Sequence, residues 1–100
     1  MADTDPTLST ISPDRLGGPG APDPQKCSAH ALASLGAAAG VDMRLASLSL
    51  DVTSHELGEA PVSITVRVDK RARSIVFASI EARSDGRLVY SAQGLFSRTG

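Results

Sequence analysis

Residues 62–97 constrain the fold of this 100-residue chain more than any other stretch. Val62, Ile64, Val66 and Val68 alternate with Ser63, Thr65 and Arg67. A period of two places the four β-branched residues on one face of a strand and the polar residues on the other. Asp69, Lys70, Arg71 and Arg73 then interrupt the pattern with charge, and residues 74–82 predict a second strand. Ser84-Asp85-Gly86-Arg87 reads as a hairpin turn, because Asp-Gly tolerates the positive φ that tight hairpins require. Residues 88–96 are the return strand. The result is an antiparallel meander, which predicts an architecture and carries no chemistry by itself.

Upstream, Leu48, Leu50 and Val52 alternate with Ser47, Ser49 and Asp51, so residues 43–53 predict a further strand. Before it comes the only helical pattern. Asp23 is an N-cap, Pro24 suits the first helical position, and Gly40 stands where a helix ends. Residues 25–39 between them are apolar nearly all round: Cys27, Ala29, Ala31, Leu32, Ala33, Leu35, Ala37, Ala38 and Ala39. Such a helix is expected to be buried on most sides. One helix against consecutive antiparallel strands is α+β, here a curved sheet of about four strands wrapped around one Ala-rich helix. Residues 54–61 are a polar connection, with Pro61 at the entry to the next strand.

Residues 1–22 read as a flexible tail ahead of a single domain at 23–98. Five of the six prolines lie between Pro6 and Pro24, and Leu8, Ile11 and Leu16 are the only large aliphatics before the helix. So little apolar surface does not offset the entropy of ordering. With Phe77, Tyr90 and Phe96 as its only aromatics, the domain has a small core, and self-association is the expected remedy.

Charge excludes some partners. The net charge of −1 argues against a nucleic-acid binder, although residues 62–100 carry seven basic and three acidic side chains. Long Arg side chains on an exposed strand also serve simply to cover it. The one cysteine, Cys27, cannot form an internal disulfide and fits a reducing compartment. No apolar run is long enough to span a membrane, and the acidic start has no signal-peptide pattern, so a cytoplasmic protein is expected. No metal-ligand cluster or phosphate-cradling Gly-rich loop is present in the sequence.

An ordered set of residues resembles a known family. Behind the Ala-rich helix come Arg71-Ala72-Arg73-Ser74, Phe77, Glu81, Asp85-Gly86-Arg87-Leu88, Ala92, Gly94 and Phe96. Over roughly residues 24–98 this resembles small hotdog-fold acyl-CoA thioesterases of the phenylacetate-pathway and 4-hydroxybenzoyl-CoA type. The resemblance implies a sheet wrapped around the helix and a homodimer, which can stack into a tetramer. It also implies an acyl-CoA thioester at the subunit interface near the helix N-terminus, with no further cofactor required. Two departures stand out. The strand that usually precedes the helix is replaced by the Pro/Gly segment. Gln25-Lys26-Cys27 stands in place of a His-Gly-Gly run, and Ser34 in place of the usual helix carboxylate.

Thioester hydrolysis requires an activated water and a site for the oxyanion. Free N–H groups at the helix start, near Gln25 and Lys26, suit the oxyanion. For the base, His30 titrates near neutrality, and Asp23 lies ahead of the helix, although capping already explains it. Ser34 is the remaining candidate, or a packing residue. Cys27 is a nucleophile or, more simply, a small core residue. His55 with Glu56 is an acid–base pair or a solvated loop. Lys70, Arg71 and Arg73 are candidate CoA-phosphate ligands, since cationic forks match phosphate oxygens. The alternative reading is a non-catalytic hotdog module that binds acyl-CoA or a small hydrophobic ligand, or serves only for dimerisation.

Overall fold

The computed structural model describes residues 5–98. In chain order these are β1 (Thr7–Ile11), a 3-10 turn (Pro13–Leu16), α1 (Pro24–Ala39), β2 (Met43–Val52), β3 (Val62–Arg71), β4 (Ile75–Ser84) and β5 (Arg87–Arg98). All five strands form one antiparallel sheet in the order β1-β3-β4-β5-β2. Register shifts at residues 45–47, 68–70 and 82–83 add local bends. The α+β architecture expected from the meander and the single helix is the one observed.

The period-two pattern fills the core as anticipated. Val62, Ile64 and Val66 of β3 meet Val76, Ala78, Ile80 and Ala82 of β4, and Tyr90, Ala92 and Phe96 of β5, on the helix-facing side. The opposite side carries Thr65, Arg67, Ser79, Glu81, Ser91 and Gln93, which line a polar trough. Asp85 and Gly86 both have positive φ, 51° and 79°, so Asp-Gly closes the β4–β5 hairpin in the way its sequence requires. Gly94 is needed for another reason. A Cβ there would lie 2.9 Å from the Phe96 ring and 3.3 Å from Leu35 Cδ1, so its absence lets the ring and the helix close onto β5.

Two expectations are corrected. The first concerns the segment read as a tail, of which residues 1–4 lie outside the described residues. From Thr7 onward it is built into the domain, and a strand does precede the helix. β1 pairs with the edge of β3, from Thr7 opposite Val66 to Ile11 opposite Val62. Leu16 is fully buried, and the Leu16 carbonyl accepts from the Asp23 N–H at 2.8 Å. Gly20 and Leu57 exchange two backbone hydrogen bonds of 2.8 Å. The segment's own apolar area is small. Here the order comes from backbone donors and acceptors that β3 and the 53–61 connection already offer, so the sheet has five strands rather than about four.

The second correction concerns α1. Asp23 caps it, its carboxylate accepting from the Gln25 N–H at 2.9 Å, and Gly40 ends it at φ 118°. Yet only Cys27, Ala31, Leu35 and Ala39 are buried, a stripe spaced by four residues. Leu32 is 39% exposed, and Ala29, Ala33 and Ala37 are exposed too. The helix packs against the curved sheet by that one stripe, and a small-residue apolar face is left open.

Candidate functional site

The N-terminal half of α1 and the 3-10 turn before it form the walls of a groove of about 450 Å³, lined by Asp14, Arg15, Lys26, Ala29, His30 and Ala33. The turn is pinned by Leu16 in the core and closed by Gly17 in the left-handed conformation, where a Cβ would meet Asp23 at 2.7 Å. This tight packing holds Asp14 and Arg15 against the helix. Lys26 and His30, four residues apart, share one helix face and complete the groove.

His30 is tied to the sheet. Its Nδ1 lies 2.6 Å from the hydroxyl of Tyr90, which is itself 0% exposed, and the rings meet edge to face. Burial, with a smaller effect from Arg15, lowers the His30 pKa below its ordinary value, so the imidazole is neutral near pH 7. Burial, with a smaller effect from Cys27, pushes the Tyr90 phenol up, so it keeps its proton. Asp14 goes the opposite way. A hydrogen bond from the Ser12 side chain, with Lys26 and Arg15 contributing, holds its carboxyl below the usual range and keeps it ionised.

The residues singled out in the sequence fall into two groups. Asp23, Gln25, Lys26 and His30 gather at the start of α1, although the Asp23 carboxylate is occupied by capping. Ser34 is half-buried on the same helix, one turn beyond His30. Lys70, Arg71 and Arg73 lie near the other end. Arg71 donates from Nη1 to the Ala39 carbonyl and from Nη2 to the Ala38 carbonyl, both at 3.0 Å, so it caps the C-terminus of α1. The Arg73 carbonyl accepts from Arg98 Nε at 3.0 Å. Lys70 borders a second cleft with Phe77, which is 40% exposed, and with Ser47, Gln93 and Leu95. The 16 residues of α1 span about 24 Å, so the chain holds its two groups far apart.

Other candidates lose their chemical role. Cys27 is buried, and burial followed by the Asp23 charge raises its thiol to about 11, so it is a core residue. His55 is half-buried and Glu56 exposed, and among the described residues no hydrogen bond or ion pair joins them. The sequence reasoning missed Asp14, Arg15 and Tyr90. Asp14 and Arg15 lay in a segment read as tail, and Tyr90 read only as a strand aromatic. Among the described residues, no group of three or more His, Cys, Asp or Glu side chains is placed to hold a metal ion. No described helix is long and apolar enough to cross a membrane.

Solved structures share this architecture. The Escherichia coli PaaI protein from the phenylacetic acid degradation operon matches with a TM-score of 0.73 at 15% identity, over 95% of this chain and 72% of that one. A hypothetical thioesterase from Streptococcus pneumoniae, solved with coenzyme A, matches with a TM-score of 0.73 at 15% identity, over 95% and 77%. A mutant of the phenylacetic acid degradation protein PaaI from Thermus thermophilus matches with a TM-score of 0.72 at 21% identity, over 94% and 84%. The chain therefore shares the hotdog fold of these structures. No protein-family model matches its sequence, and no curated protein matches it either.

Proposed function

We propose that this chain binds acyl thioesters of coenzyme A at a homodimer interface and hydrolyses them in the groove at the start of α1. The observation that carries the reading is the convergence of Asp14, Arg15, Lys26 and His30 beside an uncovered apolar helix face. The hotdog fold supports it, as does the similarity to a thioesterase solved with coenzyme A. A second copy set against the open face of Ala29, Leu32 and Ala33 would turn the shallow groove into a cleft that excludes water. Lys70 and Arg73 are the proposed phosphate contacts, since Arg71 is committed to capping α1. Cys27 as a free thiol is in keeping with a cytoplasmic location.

The helix carboxylate is missing, and Asp14 is the ionised carboxylate that the 3-10 turn supplies to the groove. In the proposed step a water oxygen bonds to the thioester carbonyl carbon while one of its protons passes to Asp14. The carbonyl pair moves onto oxygen. Collapse restores the C=O bond, breaks the C–S bond and sends that pair to sulfur, which takes the proton back from Asp14. Asp23 caps the start of α1, and Ser34 lies one turn beyond His30 on the same helix.

The absence of a carboxylate on α1 favours a second reading, a module that binds acyl-CoA without hydrolysing it. A panel of acyl-CoA thioesters, assayed with wild type, Asp14→Asn, Asp23→Asn and His30→Ala, separates the two. Asn caps a helix as well as Asp does, so Asp23→Asn is expected to fold normally and stay active. Asp14→Asn is expected to lose about 100-fold or more in kcat. Saturable binding without turnover in wild type would select the module, and neither binding nor turnover would reject both.

A further inference from the structure

We propose that Tyr90 is a positioning residue that fixes His30 as a neutral ring presenting Nε2–H to the groove, so that His30 donates a hydrogen bond to the thioester carbonyl oxygen and is not the base. The role toward the thioester rests on the function proposed above. The assignment of the proton rests on this structure alone.

Tyr90 is fully buried, and His30 Nδ1 is the only hydrogen-bond partner its hydroxyl has among the described residues. A phenol carries one proton, and a buried donor without an acceptor is costly. If Nδ1 donated to the tyrosine oxygen, the tyrosine proton would face no acceptor. If the hydroxyl donates to Nδ1, both groups are satisfied. The separation of 2.6 Å is within hydrogen-bond reach. With Nδ1 accepting, the ring's own proton belongs on Nε2.

His30 lines the groove, and its Nε2 makes no hydrogen bond to a described residue. The titratable groups around it are Asp14 and Arg15 on the 3-10 turn, Lys26 and Cys27 on α1, and Tyr90 on β5. Arg15 opposes a second positive charge on the ring, and burial does the same. The groove therefore brings together an Nε2–H donor, the cations of Arg15 and Lys26 and the carboxylate of Asp14. Such a set polarises a carbonyl and holds the oxygen that becomes negative. An imidazole already accepting at Nδ1 has no lone pair left with which to take a proton from water.

The test uses the full chain labelled with ¹⁵N-histidine. Long-range ¹H–¹⁵N correlation spectra at pH 7.5 are expected to show His30 as the Nε2–H tautomer. An Nδ1–H or doubly protonated ring would overturn the proposal, whatever the hydrolysis assay reports. Tyr90→Phe removes only the hydroxyl. Losing a donor to Nδ1 must raise the His30 titration midpoint, by about half a pH unit, whereas losing an acceptor would lower it and contradict the assignment. In acyl-CoA hydrolysis, His30→Gln keeps an N–H donor and is expected to retain at least tenfold more kcat than His30→Ala. Equal loss in the two would overturn the donor role. An Nε2–H ring in a protein that engages no acyl-CoA would reject the thioester reading and with it the oxyanion role, while the Tyr90–His30 assignment would hold.

Discussion

Tyr90 and His30 show how one residue's burial sets another's chemistry. A neutral imidazole in the folded chain has consequences for stability as well as for binding. The His30 pKa is lowered on folding, so the unfolded chain takes up the proton first as pH falls. Its contribution to stability is complete above the unfolded value of about 6.5 and is lost as pH drops through the window below it. Urea midpoints are therefore expected to fall between pH 7.5 and 5.5 in wild type, and this fall should disappear in His30→Gln. A wild-type midpoint that rises over that interval would contradict the lowered pKa. The capping role of Asp23 and the core role of Cys27 were legible in the sequence, because each depends on near neighbours along the chain. The Tyr90 contact was not, because its 60-residue separation from His30 is bridged only by the fold.

At the scale of elements, the strands from β2 to β5 follow directly from alternation, and α1 from its Asp-Pro start and Gly40. Charge at residues 69–73 shortened the expected strands, but β3 runs on to Arg71 and β4 begins at Ile75. Charged side chains stand outward at a hairpin end without cost to the ladder. β1 and the 3-10 turn were illegible for a different reason: edge pairing needs few apolar side chains, and the one that matters, Leu16, acts by filling a hole in another element's core. Leu16→Ala is accordingly expected to cost about 2–5 kcal/mol in denaturant unfolding, and to loosen the Asp14–Arg15 wall of the groove. A loss under about 0.5 kcal/mol, the range of ordinary surface changes, would mean that the turn is not anchored as described.

For the whole molecule, the open helix face and the incomplete groove make the same demand, that something cover them. The proposed second copy would meet that demand with the apolar surface this small chain lacks in its own core. The fold was visible in the ordered motif from Arg71 to Phe96, and the structures it resembles share it. The candidate site was visible only in part, because the carboxylate that lines the groove, Asp14, lies on the turn before α1 and Arg71 of the basic cluster caps the helix C-terminus. The most direct measurement is calorimetric titration of the full chain with a non-hydrolysable acyl-CoA analogue, alongside Lys26→Glu. The account predicts saturable binding of one analogue per protomer, weakened at least tenfold by the substitution. Absence of binding, or binding indifferent to the charge at Lys26, would contradict it.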